Sequence, residues 1–180
     1  MRYLVVVAIM LVGCTRNPGP ARPRAATSVR VSHAANVATA GALFGLSFFE
    51  TYANKRGADR LSDPEWTRYR QGVSSQPVPS IPVFQLASVG SGGSVLFFTR
   101  DYRKREFMLA GAGLLLAVAG VITTLAITAP AQSDVDGFDP DNLPADIQAY
   151  RDRLHRANVI RTVVHGVALG INITALTIAW

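Results

Sequence analysis

The chain has 180 residues, 49% of them hydrophobic and only 17% charged, and its mean hydropathy is positive at +0.22. One domain's worth of chain with this composition is too apolar for an ordinary soluble domain, and its apolar residues fall in a few long blocks, as in membrane proteins. The formal net charge of +6 lies in the connections between those blocks, where a bilayer explains it, and no recognition motif accompanies it, so nucleic acid is excluded as a partner.

The lone cysteine, Cys14, allows neither an internal disulfide nor a Cys-based zinc site. Basic residues other than Lys55 and Lys104 are arginines, which with the Ala and Gly content suggests a bacterial source.

Residues Tyr3 to Val12 form an apolar run too short to span a bilayer. Leu11-Val12-Gly13-Cys14 has the form of a lipoprotein signal box, with Cys14 as the lipidated residue. Arg16, Arg22, Arg24 and Arg30 follow it and oppose export, so a disordered leader is the alternative. From Thr15 to Ser32 the prolines Pro18, Pro20 and Pro23 and the lack of periodicity predict a linker; residues 1–33 are thus read as leader and linker.

Residues 34–53 are the first predicted span. Asn36, Ala40, Leu43, Ser47, Glu50 and Asn54 share one stripe at about 100° per residue, which predicts that this face turns toward other helices. A polar connection follows, in which Asp63-Pro64-Glu65 starts a short helix and Trp66, Tyr69 and Tyr52 are placed at the headgroup level. Residues 81–98 form the second span despite the Gly90-Ser91-Gly92-Gly93-Ser94 cluster, because backbone groups in lipid have no water to bond. A basic turn, Arg100 to Glu106, links it to the third span, 107–129, which carries no charge and has a small-residue face at Gly113, Ala117, Gly120, Thr124 and Thr128. Pro130 is expected to end that span, and an acidic loop to lead to Pro144. A helix from Ala145, charged at first and apolar over 159–180, supplies the fourth.

The fold expected is all-α, a four-helix transmembrane bundle in a multi-pass protein of the cell membrane, with homo-oligomers open. Arg100, Arg103, Lys104 and Arg105 in the short turn favour both termini inside, although the basic residues of the first connection oppose this. A lipidated Cys14 would require the opposite orientation.

The last span carries an arginine and a histidine into the membrane, which is costly and commonly marks a working site. Leu154, Asn158, Arg161, His165 and Asn172 lie within about 60° around the helix axis. Glu50, Gln85, Thr128 and Gln132 lie at helix ends on the same side of the membrane. We therefore expect Glu50 and Arg161 to meet, with Gln85, Asn158 and His165 around them. Two readings follow. In one, the groups fix helix register. In the other they line a pocket in which Arg161, His165 and Glu50 are catalytic and Asn158, Gln85, Thr128 and Gln132 bind substrate. The histidines His33, His155 and His165 lack metal-ligand spacing, so no metal is expected. There is no nucleophile elbow, phosphate loop or dinucleotide fingerprint.

Pro130, the Asp139-Pro140 loop, the Tyr150-Arg151-Asp152-Arg153 helix and Asn158-Val159-Ile160-Arg161-Thr162 resemble the anthrone oxygenase-like family of four-span membrane proteins. The resemblance covers Ala34 to Trp180, and Arg161 and Asn158 match its pattern. It implies a four-helix membrane bundle and, for some members, oxidation of a polycyclic phenolic substrate by oxygen without a cofactor. The family pattern also has an asparagine after the proline, tryptophans before span four and a histidine two before the arginine. Here those places hold Ala131 or Gln132, Leu154 and Ala157, and Val159.

Overall fold

The computed structural model describes residues 23–75 and 80–179, and Cys14 with its signal-like run lies outside them. The described residues form five helices and no strand. Helix α1 starts as Pro23–Phe48, passes through a π turn at Phe49–Ala53 and finishes as Asn54–Ala58. Helix α2 is Asp63–Ser74, and α3 is Ser80–Thr99. Helix α4 runs Arg105–Thr123, then a π turn Thr124–Thr128, then Ala129–Asp136. Helix α5 is Ile147–Ala179.

The four long helices close a ring in which α1 packs on α3 and α5, and α4 packs on the same two. Neighbours are antiparallel, because Ser47 meets His165 while Thr51 meets Thr162. Three of the helices are long and apolar enough to cross a membrane: Ile81–Thr99, Arg105–Asp136 and Ile147–Ala179. Helix α1 completes the bundle, burying Asn36, Ala40, Leu43 and Ser47 as its stripe predicts. Large apolar side chains on the outside, among them Leu115, Ile122, Leu125, Val163 and Val167, are left facing out, as a lipid environment requires. This is an integral membrane protein.

Glycines 90, 92 and 93 lie within the unbroken α3, as expected for a helix in lipid. The α3–α4 link is a tight turn in which Arg100 takes a positive φ of 52°, ending α3 at a position that glycine more often fills.

Four sequence expectations are corrected. The first helix starts at Pro23 instead of Ala34, so part of the predicted linker is helical; proline suits a first helical turn, where its missing N–H is not needed. Pro130 does not end the third span. The π turn at Thr124–Thr128 lies just before it, a common way for a helix to absorb the missing donor, and α4 continues to Asp136. The 32 residues of α4 then span about 48 Å, well beyond a hydrocarbon core of about 30 Å. The surplus at that end carries a cap, which accounts for the third correction: Trp66 is buried, not spread at the headgroups. It packs with Ala131, Val135, Ile147 and Leu154, bordered by Leu61, Phe138 and Tyr150. Finally, much of the predicted acidic loop is the end of α4, with Ala131 and Val135 turned into this core.

Helix α2 is set by Ser62, whose hydroxyl and backbone N–H both donate to the Glu65 carboxylate, at 2.7 and 2.9 Å. Those two donors hold the Glu65 carboxyl below its usual range. Asp63 ties α2 to α5 by accepting from Arg151 at 2.6 Å and from Gln148 at 2.7 Å.

Candidate functional site

Arg161 lies on the inner face of α5 and is 3% exposed, so its charge has no route to water. Its Nη2 donates to Glu50 Oε2 at 3.0 Å and also to Asn158 Oδ1, and its Nη1 reaches Thr124 Oγ1 at 3.4 Å. Asn158 is one turn earlier on α5, so helix periodicity alone brings it beside the guanidinium. Glu50 comes from the π turn of α1. Its side chain is 26% exposed, so this pair has one member sealed in the bundle and one at an aqueous edge.

The π turn also changes the phase of α1. Continuing the stripe from Ser47 at helical pitch puts Glu50 at one edge, about 40° from its centre, and Thr51 about 60° off on the other side. The wider turn rotates Thr51 fully inside and leaves Glu50 at the aqueous edge. Thr51 Oγ1 bonds Thr162 Oγ1 at 2.7 Å, and Thr162 also donates to the backbone carbonyl of Ser47 at 2.9 Å. Thr51, four residues after Ser47, lies only about 40° from it at helical pitch, so the sequence placed it beside the stripe although it was not singled out. Thr162 was legible only as the residue beside Arg161.

His165 follows Arg161 by one turn and is 2% exposed. Its Nδ1 bonds Ser47 Oγ at 2.9 Å, while Nε2 is buried with no partner among the described residues. That edge of the ring lies against Gly120, where an added Cβ would collide with Nε2. Asn172 repeats the arrangement two turns on, its amide set against Gly113. The small-residue face of α4 therefore admits the polar side chains of α5.

Gln85, on α3, donates to Thr124 Oγ1 at 2.8 Å and to the Gly120 carbonyl at 3.2 Å. Thr124 thus links Gln85 to Arg161, and α1, α3, α4 and α5 all contribute to one connected polar cluster. Two expected members are not part of it. Gln132 accepts from Arg70 of α2 through Nε at 3.0 Å and donates to Asp136 at 2.8 Å, because α4 carries it past the bundle into the cap. Thr128 has a buried hydroxyl without a partner among the described residues and makes no bond to the cluster.

Above the cluster lies a cleft of about 620 Å³ between the end of α1, α2 and the start of α5. Glu50, Asn54 and Asn158 line it from the bundle side. Leu61 and Tyr69 contribute apolar and aromatic surface beside the largely buried Trp66 and Leu154, and Lys55, Asp59, Arg70, Arg151 and His155 make the rest of the wall charged or polar. Arg161, His165, Gln85, Thr128 and Gln132 do not line it. Among the described residues no group of three or more His, Cys, Asp or Glu side chains could hold a metal.

Comparison with protein-family models, with curated proteins and with solved structures gives no match.

Proposed function

We propose that this protein, placed in the cell membrane, takes up a small ring-bearing amphiphile in the cleft at one membrane face, with Glu50 and Asn158 meeting its polar end. The observation that carries this reading is that Glu50, the partly exposed partner of buried Arg161, lines the cleft together with Asn158. Its volume suits a small molecule, since such sites span about 300–1,000 Å³. Tyr69 supplies an exposed ring, and Trp66 stands in the cleft wall with the Arg151 guanidinium over its ring at 5.2 Å. Glu50 has a second carboxylate oxygen that, among the described residues, is left to accept a hydrogen bond from a substrate hydroxyl. Arg161 acts from behind, fixing the carboxylate's position.

An oxygenase-like activity on a hydrophobic phenolic compound, which the family resemblance implies, would use this arrangement with oxygen as the oxidant. Glu50 and Asn158 would touch the substrate, and Arg161 would be a positioning residue. His165 and Gln85 are assigned to packing, since direct contacts enclose both. The second reading is a non-catalytic membrane component whose polar cluster fixes helix packing, and the closed contacts around His165 and Thr162 favour it.

Fluorescence of Trp66, in a Trp180→Phe background in lipid nanodiscs, tests the proposal. A hydroxylated tricyclic ketone should quench it saturably, with affinity about tenfold weaker in Asn158→Ala and Glu50→Gln, as expected for loss of one hydrogen bond in a partly buried site. Oxygen consumption under the same conditions reports the oxygenase form. Absence of saturable quenching, or equal affinity in all three proteins, would leave the packing reading alone.

A further inference from the structure

A second groove lies on the opposite side of α5, against α4, at the same membrane face. It encloses about 480 Å³ and has Ile127 and Ile160 at its membrane end, Ala149 and Ala157 along its wall, and Arg153 and Arg156 at its aqueous end. We infer that this groove binds the phosphate of an anionic phospholipid, held by Arg153 and Arg156, with an acyl chain running down the outer face of α5.

Charge is the first argument. Arg153 and Arg156 are both exposed, and neither forms an ion pair or hydrogen bond among the described residues. The nearby arginines of the cap are committed: Arg151 to Asp63 at 2.6 Å and Arg68 to Asp141 at 2.6 Å. Asp152 also lines the groove and opposes an anion, but two guanidinium groups outweigh one carboxylate. Being three residues apart on α5, they project from one face and can share a single phosphate.

Depth is the second. Arg156, Ile160, Val163 and Val167 follow one helical stripe, and the last three are 44%, 58% and 50% exposed on the outside of the bundle. Side chains this apolar, left uncovered on a membrane helix, face acyl chains. At 1.5 Å per residue Arg156 stands about 6 Å and Arg153 about 10 Å beyond Ile160. Headgroups occupy a layer of about 5–8 Å outside the hydrocarbon core. Arg156 is therefore level with lipid phosphates, and Arg153, a few ångströms further out, reaches them by its long side chain. Ile160 at the groove's edge begins the apolar stripe that a bound lipid's tail would cover.

Native mass spectrometry of the detergent-solubilised full chain tests this with three probes: phosphatidylglycerol, phosphatidylcholine and inorganic phosphate. Phosphatidylglycerol should be retained by wild type, and its affinity should fall about thirtyfold in the Arg153→Gln/Arg156→Gln double variant and about fivefold in each single variant. Arg56→Gln/Arg60→Gln removes the same charge from the exposed end of α1 and the turn after it, and should retain the lipid as wild type does. Equal retention by wild type and the Arg153/Arg156 variant would overturn the proposal. So would a loss of the same size in the Arg56/Arg60 control, which would mark a general charge effect. Displacement of the lipid by millimolar inorganic phosphate would assign the groove to a free phosphate compound instead. A groove occupied by a second copy of the chain would appear as a lipid-free dimer, and would overturn it too. Thermal unfolding of each variant confirms that the exposed substitutions leave the bundle folded.

Discussion

Replacing Glu50 by Gln removes the counter-charge of a guanidinium that is 3% exposed, while leaving Asn158 and Thr124 as its remaining acceptors. Stranding one member of a buried ion pair costs about 3–5 kcal/mol. Glu50 is a quarter exposed and a glutamine oxygen can still accept one bond, so about 2–3 kcal/mol is expected here. Arg161→Gln is less damaging, about 1–2 kcal/mol, because the abandoned carboxylate can turn to the water of the cleft. The double change should cost no more than Arg161→Gln alone, which puts the coupling energy near 2–3 kcal/mol. Reversible unfolding of the four proteins in mixed detergent micelles measures the cycle. If the two single effects simply add, or if Arg161→Gln is the costlier, the account of a sealed cation anchored by a half-wet carboxylate is wrong.

Gly120→Ala should destabilise by about 1–3 kcal/mol, because its methyl would meet His165 Nε2, and His165→Ala in the same chain should recover most of that loss in the same unfolding assay. Trp66→Ala should cost about 3–5 kcal/mol within the cap, seen as rapid proteolysis of α2, while the membrane helices remain protected. The Glu65 carboxyl titrates below its ordinary value because Ser62 donates to its charged form. Its contribution is therefore complete above the unfolded-state pKa, about 4.3, and is lost as pH falls through the lower folded value. Trp66 fluorescence in the Trp180→Phe background should change on acidification below about pH 4.5, and Glu65→Gln should remove that step.

Much of the bundle was legible because helical pitch converts residue spacing into angle. The stripe of Asn36, Ala40, Leu43 and Ser47, the neighbourhood of Asn158 and Arg161, the glycine-bearing third helix and the approach of Glu50 to Arg161 all follow from period and antiparallel order. Pitch assumes an unbroken helix, and here it breaks twice. The π turn in α1 rotated Thr51 from the margin of the stripe to full burial and Glu50 further outward, and that in α4 let the helix pass Pro130 and carry Gln132 away to Arg70. Neither shift has a signal in the hydrophobic pattern.

The bundle has four long helices, three of them long and apolar enough to cross a membrane, while the cleft beside Glu50 had no signal in the sequence. Spacing placed His165 on the polar face of α5 but was silent on what stands opposite. Gly120 and Ser47 stand there and enclose the ring, which makes it a packing residue in our reading. Trp66 was drawn to the interface by its residue type, whereas the overhang of α4 and α5 offered it a core.

By itself the sequence determined that this chain is helical and membrane-embedded, and that one acidic and one guanidinium group share a level in it, since apolar length and helical period are local properties. Only the tertiary structure decided which polar groups are sealed and which meet water. That choice depends on close approach between helices, and close approach depends on the glycines, π turns and cap contributed by distant parts of the chain.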